Sequence, residues 1–201
     1  MWVHGTVTIT NSQALAKDEL DAALLKRVEE GDRESFAALH RRFYTPLTRF
    51  AYRYLRSAET IEEVVNDTMF AVWQNAANFR GGSRVSTWIM AIMARKCWQV
   101  NNKNHLDTSP IDDSLELSDP KKPLDDLDME RTLNWGIHQL SENHQACVEL
   151  AYGYGYTCEE IGEIMACPAS TVKTRLHYAR KTLKELFNSD IDERVASRSR
   201  S

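Results

Sequence analysis

"CEEIGEIMACPASTVKTRLHYARK", residues Cys158 to Lys181, opens acidic, breaks at a run of small residues and closes basic. Thr157 and Glu160 stand in capping-box spacing, which starts a short helix near Cys158 and turns Ile161 and Ile164 inward. "ACP" stops that helix, and Ser170 is the expected cap of a second one running from about Thr171 to Leu186. On that second helix Val172, Leu176, Ala179 and Leu183 share a packing face. Ser170, Lys173, Thr174, His177, Lys181 and Lys184 point broadly the other way, with Arg175 and Arg180 on the flanks. Residues 169–184 contain five bases and no acid. Two short helices joined by a tight turn, the second presenting polar and basic side chains near its start, form a helix-turn-helix. Such a helix fits the DNA major groove, where Lys and Arg read guanine edges and flanking charge positions the helix on phosphates. The alternative is a solvated basic helix that complements its own dipole. It leaves the agreement of turn, caps and basic face unexplained.

The net charge of −4 conceals this basic face. Residues 105–130, "HLDTSPIDDSLELSDPKKPLDDLDME", hold nine acids against two lysines, so the remainder of the chain carries +3. The protein is a basic one with an acidic insert, and its average charge is no argument against a polyanionic partner. With 201 residues, 42% apolar and 27% charged, one ordinary domain or two small ones are expected. No apolar run has the length of a membrane span, and "MWVHGTVTIT" lacks the regions of a signal peptide, so a cytoplasmic protein without direct membrane insertion is expected. Cys97, Cys147, Cys158 and Cys167 contain no CxxC pair, which suits a reducing compartment.

The acidic insert also holds Pro110, Pro120 and Pro123 and reads as a linker. Before it, "DELDAALLKRVEEG" ends at Gly31 as a C-cap, and Asp32 caps "RESFAALHRRFYTPLTRFAYRYL", which Pro46 is expected to kink or divide. "TIEEVVNDTMFAVWQNAANF" follows, with Thr60 and Glu63 in capping-box spacing. Ile61, Val64, Val65, Thr68 and Val72 share its inner face, and Glu63, Asn66, Asp67, Gln74 and the apolar Phe70 lie opposite. "RGGS" breaks the chain before "RVSTWIMAIMARKCWQVNNK", where Val85, Trp88, Ile89 and Ile92 point inward. Apart from a short "VTIT" near the start, no strand alternation is visible. The expected fold is all-α, two small helical domains joined by the acidic flexible linker. Its divisions are an N-terminal extension (1–17), a first domain (18–104), the linker (105–126), a helix-turn-helix domain (127–188) and a disordered tail (189–201).

The order "GDRESFAALHRRFY", "IEEVVNDTMFAVWQ", "FRGGSRVSTWIMAIMARK" and "LSENHQACVELAYGYGYTCEEIGEIMACPASTVKTRLHYARKTLKEL" resembles the successive segments of an extracytoplasmic-function (group IV) sigma factor of the sigma-70 family. The resemblance covers about residues 20–104 and 127–187. It implies a promoter-recognition subunit of RNA polymerase that is not an enzyme and needs no cofactor or metal. The first domain would bind the clamp coiled coil of core RNA polymerase through Glu62, Glu63, Asn66, Asp67, Phe70 and Gln74. An apolar ring on an acidic face suits such a contact. The resemblance places −10 promoter DNA at Arg80, Ser83, Arg84, Arg95, Lys96 and Trp98. Gly81 and Gly82 allow close backbone approach there, and Trp98 is either a base-stacking side chain or a packing residue. The family usually has Asn near the position of Lys96, and a more basic run where this chain reads "CWQVNNK". The −35 element would be read by Ser170, Thr171, Lys173, Thr174, Arg175, His177, Arg180 and Lys181. The linker would follow the path that RNA later takes, as a phosphate mimic or as a solubilising tether. An anti-sigma factor is the further implied partner, one that holds the protein inactive and sequesters it at the inner membrane.

Two other readings stand beside this one. A helix-turn-helix transcriptional activator would bind a palindrome without polymerase and gives the Phe70 face no role. A metal or redox sensor would use His144 and Cys147, at i and i+3, with Cys158 and Cys167, although such cysteines are commonly core residues. No nucleophile–base constellation, phosphate loop or HExxH is present.

Overall fold

The computed structural model describes residues 11–107 and 129–198, and every element among them is helical. The "VTIT" stretch and all but the ends of the acidic insert lie outside the described residues. The chain divides into two compact units, Met1–Asp107 and Thr108–Ser201.

The first unit contains α1 (Asn11–Glu29), α2 (Arg33–Ala51), α3 (Ala58–Asn75) and α4 (Val85–Asp107), with a 3₁₀ turn at Ala76–Asn78. α1 begins ahead of residue 18, inside the stretch read as an extension. The α1–α2 corner is closed as its sequence predicts. Gly31, at φ 86°, donates its N–H to Val28, and Asp32 N–H reaches back to Arg27. That is the doubly bonded helix end that a residue in the left-handed region permits. The Asp32 carboxylate then accepts Glu34 N–H at 2.9 Å and Ser35 Oγ–H at 2.7 Å. α2 stays one helix through Pro46. Leu39, Phe43, Leu47 and Phe50 are buried along one face of it, at the spacing of a helical stripe.

α3 starts one turn earlier than the Thr60–Glu63 pattern suggests. Its cap is Ser57, whose hydroxyl accepts Thr60 N–H at 3.4 Å. Ile61, Val64, Val65, Thr68 and Val72 are all buried, as their periodicity predicts, and Thr68 satisfies its hydroxyl on the Val64 carbonyl at 2.7 Å. α4 departs from the expected face. Val85 and Ile89 are buried, but Trp88 and Ile92 are only half-buried, and the deepest positions run on through Met90, Met93, Ala94 and Cys97. α4 packs against α1, α2 and α3 at once, so its buried surface wraps most of the helix and no narrow stripe exists to be read. Between α1 and α2, Arg42 Nε donates to the fully buried Asp21 carboxylate at 2.6 Å.

The second unit contains α5 (Met129–His138), α6 (Glu142–Val148), a π-helical turn at Glu149–Gly153, α7 (Cys158–Ile164) and α8 (Ala169–Arg198). α8 packs on α5, α6 and α7 and buries Val172, Leu176 and Ala179. It starts at Ala169, where the Pro168 carbonyl accepts Thr171 and Val172 N–H, so Ser170 lies inside the first turn instead of capping it. At its other end α8 continues to Arg198, well into the stretch 189–201 read as a disordered tail. α5 crosses α8 closely at Gly136, where a Cβ would stand 2.8 Å from the Phe187 ring. The turn between α7 and α8 is tighter still. Ala166 has φ 51°, Cys167 N–H bonds the Gly162 carbonyl at 2.9 Å, and a Cβ on Gly162 would stand 2.7 Å from the Cys167 carbonyl oxygen.

Both corners can be tested. The Asp32 carboxyl is held below its ordinary value of 3.8, first by the Ser35 hydroxyl and then by Glu34 N–H. A lowered folded-state value means that its contribution to the α1–α2 corner is complete above the ordinary carboxylate range. The contribution disappears as pH falls through the lowered value. Carboxyl-resolved NMR titration will show Asp32 protonating below 3.8, and Ser35→Ala will move it back up. Gly162→Ala meets backbone instead of a flexible side chain. It will cost the second unit roughly 1–3 kcal/mol, read as a lower unfolding midpoint in urea, and leave the first unit unchanged.

Candidate nucleic-acid and protein interfaces

On α8, Ser170, Lys173, Thr174, His177, Arg180 and Lys181 are exposed, and Thr171 is half-buried. Thr174 Oγ1 donates to the Ser170 carbonyl at 3.0 Å, which folds its hydroxyl onto its own helix. Lys173 Nζ lies 3.5 Å from Glu159 on α7, and Lys181 Nζ 3.9 Å from Glu185; all four side chains are mostly exposed, so these pairs are weak and exchange readily for another anion. Arg180 Nε donates to the Leu176 carbonyl at 3.1 Å. Arg175 is placed differently from its neighbours. It is half-buried, and its Nη1 donates to Cys167 Sγ at 3.6 Å, inside the α7–α8 turn. The exposed stripe also contains Tyr178, 53% accessible and edge-on to His177, a residue absent from the sequence-based set. Its i+4 spacing from Thr174 is the signal that places it there. Gly162, on which the approach of α7 to α8 rests, has no comparable signal in the sequence.

The α3 face of the first unit carries Glu62, Glu63, Asn66, Asp67, Phe70 and Gln74, all exposed. Phe70 is 58% accessible, too open for a core residue of its own unit. It is not an isolated ring. α2 lines up Phe36, His40 and Tyr44 at i, i+4 and i+8. Phe36 stands edge-on to Trp73 with centroids 5.2 Å apart, and His40 stacks on Tyr44 at 5.7 Å. Phe36, His40, Asn66, Phe70 and Trp73, with Arg33 as the charged residue among them, surround an open groove of about 580 Å³ between α2 and α3, and the acids Glu62, Glu63 and Asp67 are exposed elsewhere on α3. The α2 contribution escapes a single-helix reading, because the groove exists only once two helices are side by side.

Of the remaining expected DNA contacts, Arg80 is exposed in the loop before α4, where Gly81 takes φ 70°. Ser83 and Arg84 are half-buried, and Arg84 Nη1 lies 3.7 Å from Asp18 of α1. Arg95 is exposed and donates to the Ala91 carbonyl at 3.2 Å. Lys96 Nζ lies 3.3 Å from Asp67, tying α4 to the acidic face of α3. Trp98 is half-buried, and Trp88 tilts against Phe79 at 5.4 Å. The structure thus brings Arg80, Arg84, Arg95 and Lys96 onto one unit but gives three of them intramolecular partners.

His144 Nδ1 lies 3.0 Å from Ser141 Oγ, and Cys147 is buried. Among the described residues no three His, Cys, Asp or Glu side chains are grouped so as to hold a metal ion, and no helix is long and apolar enough to cross a membrane.

Comparison with known proteins agrees with this geometry. The family model for sigma-70 region 2 matches residues 39–99, and that for sigma-70 region 4 matches residues 136–185. The ECF RNA polymerase sigma-E factor of Haemophilus influenzae is 28% identical over 188 residues, which covers 85% of this chain and 96% of the relative. In fold the chain is similar to CnrH, solved in complex with the cytosolic domain of CnrY. The TM-score is 0.63 at 18% identity, over 85% of this chain and 99% of the other. It is also similar to RpoE of Bartonella quintana, solved with the anti-sigma factor NepR. There the TM-score is 0.53 at 22% identity, over 73% and 92% of the two chains. The region 2 and region 4 matches together span more than half of the residues, and the chain belongs to the sigma-70 family as an extracytoplasmic-function sigma factor, a protein that works by binding and not by catalysis.

Proposed function

We propose that this sigma factor joins core RNA polymerase through the aromatic groove of α2 and α3 and reads promoter DNA through two separate surfaces. In this reading the polymerase clamp helices fill the groove around Phe70, and the exposed acids Glu62, Glu63 and Asp67 of α3 meet basic residues of the partner. The loop at Arg80–Ser83 and the start of α4 take the −10 element. The exposed face of α8 enters the major groove at the −35 element, with Lys173, His177 and Tyr178 toward base edges and Arg180 and Lys181 toward phosphates. The observation that carries the reading is the exposed Phe70 in a largely apolar groove on a helix that also exposes acids, in a chain whose second unit is built as a helix-turn-helix. A helix-turn-helix activator has no use for the first feature.

The same groove is what a repressing partner would cover. NepR is an anti-sigma factor in the Bartonella quintana complex, and a protein that seats an apolar helix between α2 and α3 would exclude polymerase by occupancy alone. Promoter DNA and polymerase place the protein's action in the cytoplasm, with sequestration at the inner membrane when such a partner is itself membrane-bound.

Run-off transcription with core polymerase and a promoter library tests the assignment. Promoter-specific transcripts are expected from the native chain. Phe70→Ala will abolish them and lower affinity for core polymerase by at least tenfold, with no loss of thermal stability, since a half-exposed ring contributes little to its own core. Lys173→Ala with Lys181→Ala will leave core binding intact. It will also flatten the salt dependence of −35 binding, by about 0.9 in the log–log slope for each phosphate that is no longer neutralised. Sequence-specific DNA binding by the chain alone, unaffected by Phe70→Ala and ignored by polymerase, returns the activator reading.

A further inference from the structure

Arg175 is the one member of the α8 basic set that turns into the protein, and what it meets is sulfur. Its Nη1 donates to Cys167 Sγ at 3.6 Å, and Arg175, Cys167 and Cys158 all lie near enough to act electrostatically on the Cys147 thiol of α6. Cys147 is fully buried and rests 3.4 Å from Met165 Sδ, whereas Cys167 is half-exposed. Cys167 is thus a partly exposed residue bonded to the guanidinium, and Cys147 lies in the interior against Met165, two residues before Cys167 in the chain. The fourth cysteine, Cys97, is buried in the first unit with its thiol pushed up to about 12 by desolvation, so it has no part in this cluster.

We propose that Cys167 and Cys147 form a site of reversible oxidation by hydroperoxides, with Cys167 the sulfur oxidised first and Cys147 the thiol that resolves it. The Cys167 sulfur attacks the peroxide oxygen. An S–O bond forms, the O–O bond breaks, and the departing alkoxide or hydroxide takes up the thiol's proton. The Cys147 thiol then attacks the sulfenic sulfur. An S–S bond forms, the S–O bond breaks, and hydroxide leaves with the Cys147 proton as water. Two electrons pass from the sulfur pair to the peroxide, and a dithiol returns them. Arg175 Nη1, already on the Cys167 sulfur, is at hand for the negative charge that leaves Cys167.

The disulfide cannot form without consequence for α8. It displaces Arg175 and draws on Cys167, whose N–H and carbonyl are the backbone groups packed against Gly162. That turn has no slack, so movement of Cys167 is passed to Ala169 and the start of the basic helix. Oxidation would therefore weaken DNA binding by the second unit while leaving the first unit's groove intact.

The test is to treat the full native chain with hydrogen peroxide and map its thiols by mass spectrometry. The expected product is one intramolecular Cys147–Cys167 disulfide, reversed by dithiothreitol. Cys167 should be oxidised about tenfold faster than Cys158, the other half-buried thiol. Cys147→Ser will leave Cys167 as a sulfenic acid that dimedone traps, Cys158→Ser will change nothing, and Arg175→Lys will slow the first step. A disulfide that includes Cys158, a cross-link between chains, or oxidation of Cys167 no faster than Cys158 overturns the proposal. The native-chain map decides this even where Cys147→Ser does not fold. Loss of −35 binding on oxidation depends additionally on the promoter-reading role of α8, and the disulfide map does not.

Discussion

At the α7–α8 turn the Cys167 carbonyl oxygen lies where residue 162 has room for a hydrogen and nothing larger. The angle between the two helices is set by that backbone-to-backbone approach, and the exposed stripe of α8 is aimed by the angle. Three further features serve the same geometry. The Thr157–Glu160 capping box fixes the start of α7, with Glu160 N–H on Thr157 at 3.2 Å and Thr157 N–H on Glu160 at 2.9 Å. Ala166 accepts a left-handed φ of 51°, which costs a residue with a Cβ about 1 kcal/mol, to reverse the chain within three residues of Ile164. Val172, Leu176 and Ala179 then hold α8 down along its inner face. The exposed basic side chains add only weak surface pairs such as Lys173 with Glu159 to this framework, which leaves them available to a ligand.

The first unit solves a different problem. α4 sits among three neighbours and is buried around most of its circumference, so α2 and α3 are left with surfaces that its packing does not use. Their outward aromatic residues meet each other instead. Phe36 against Trp73 and His40 against Tyr44 are ring pairs of the kind worth about 0.5–1.5 kcal/mol beyond simple burial, so the groove walls keep their shape without a ligand. A preshaped wall lowers the entropy lost on association, which is where much of the cost of binding lies.

How far the sequence can be read depends on whether a feature belongs to one helix or to several. The inner face of α3 and the packing face of α8 follow from spacing within one element, and the structure buries them as expected, except Leu183, which is half-buried. The caps at Asp32 and Thr157 are equally local. The inward face of α4 departs from its periodicity because Met90, Met93 and Cys97 become core only against three other helices. The same limit hides the aromatic groove, the inward turn of Arg175 and the need for glycine at 162. Each is a fact about two segments meeting, and no periodicity within either announces it. The Ser57 cap is local too, but the stronger capping-box spacing at Thr60 and Glu63, one turn later, masks it.

The ion pair between Asp67 and Lys96 joins a residue of the proposed polymerase face to one of the proposed −10 face. The pair sits at the surface, so it is worth no more than about 1 kcal/mol to the fold. Its interest lies in reciprocity. On the reading proposed above, a basic residue of polymerase that takes up Asp67 releases Lys96, and a phosphate that takes up Lys96 releases Asp67. Each ligand then finds its partner group already vacated by the other, and linkage requires the benefit to be equal in both directions. At about 1 kcal/mol it amounts to roughly a fivefold preference for forming the ternary assembly over either binary one. A single surface ion pair, negligible as a source of stability, would in this way favour the complete assembly of sigma factor, enzyme and DNA, whichever of the two ligands arrives first.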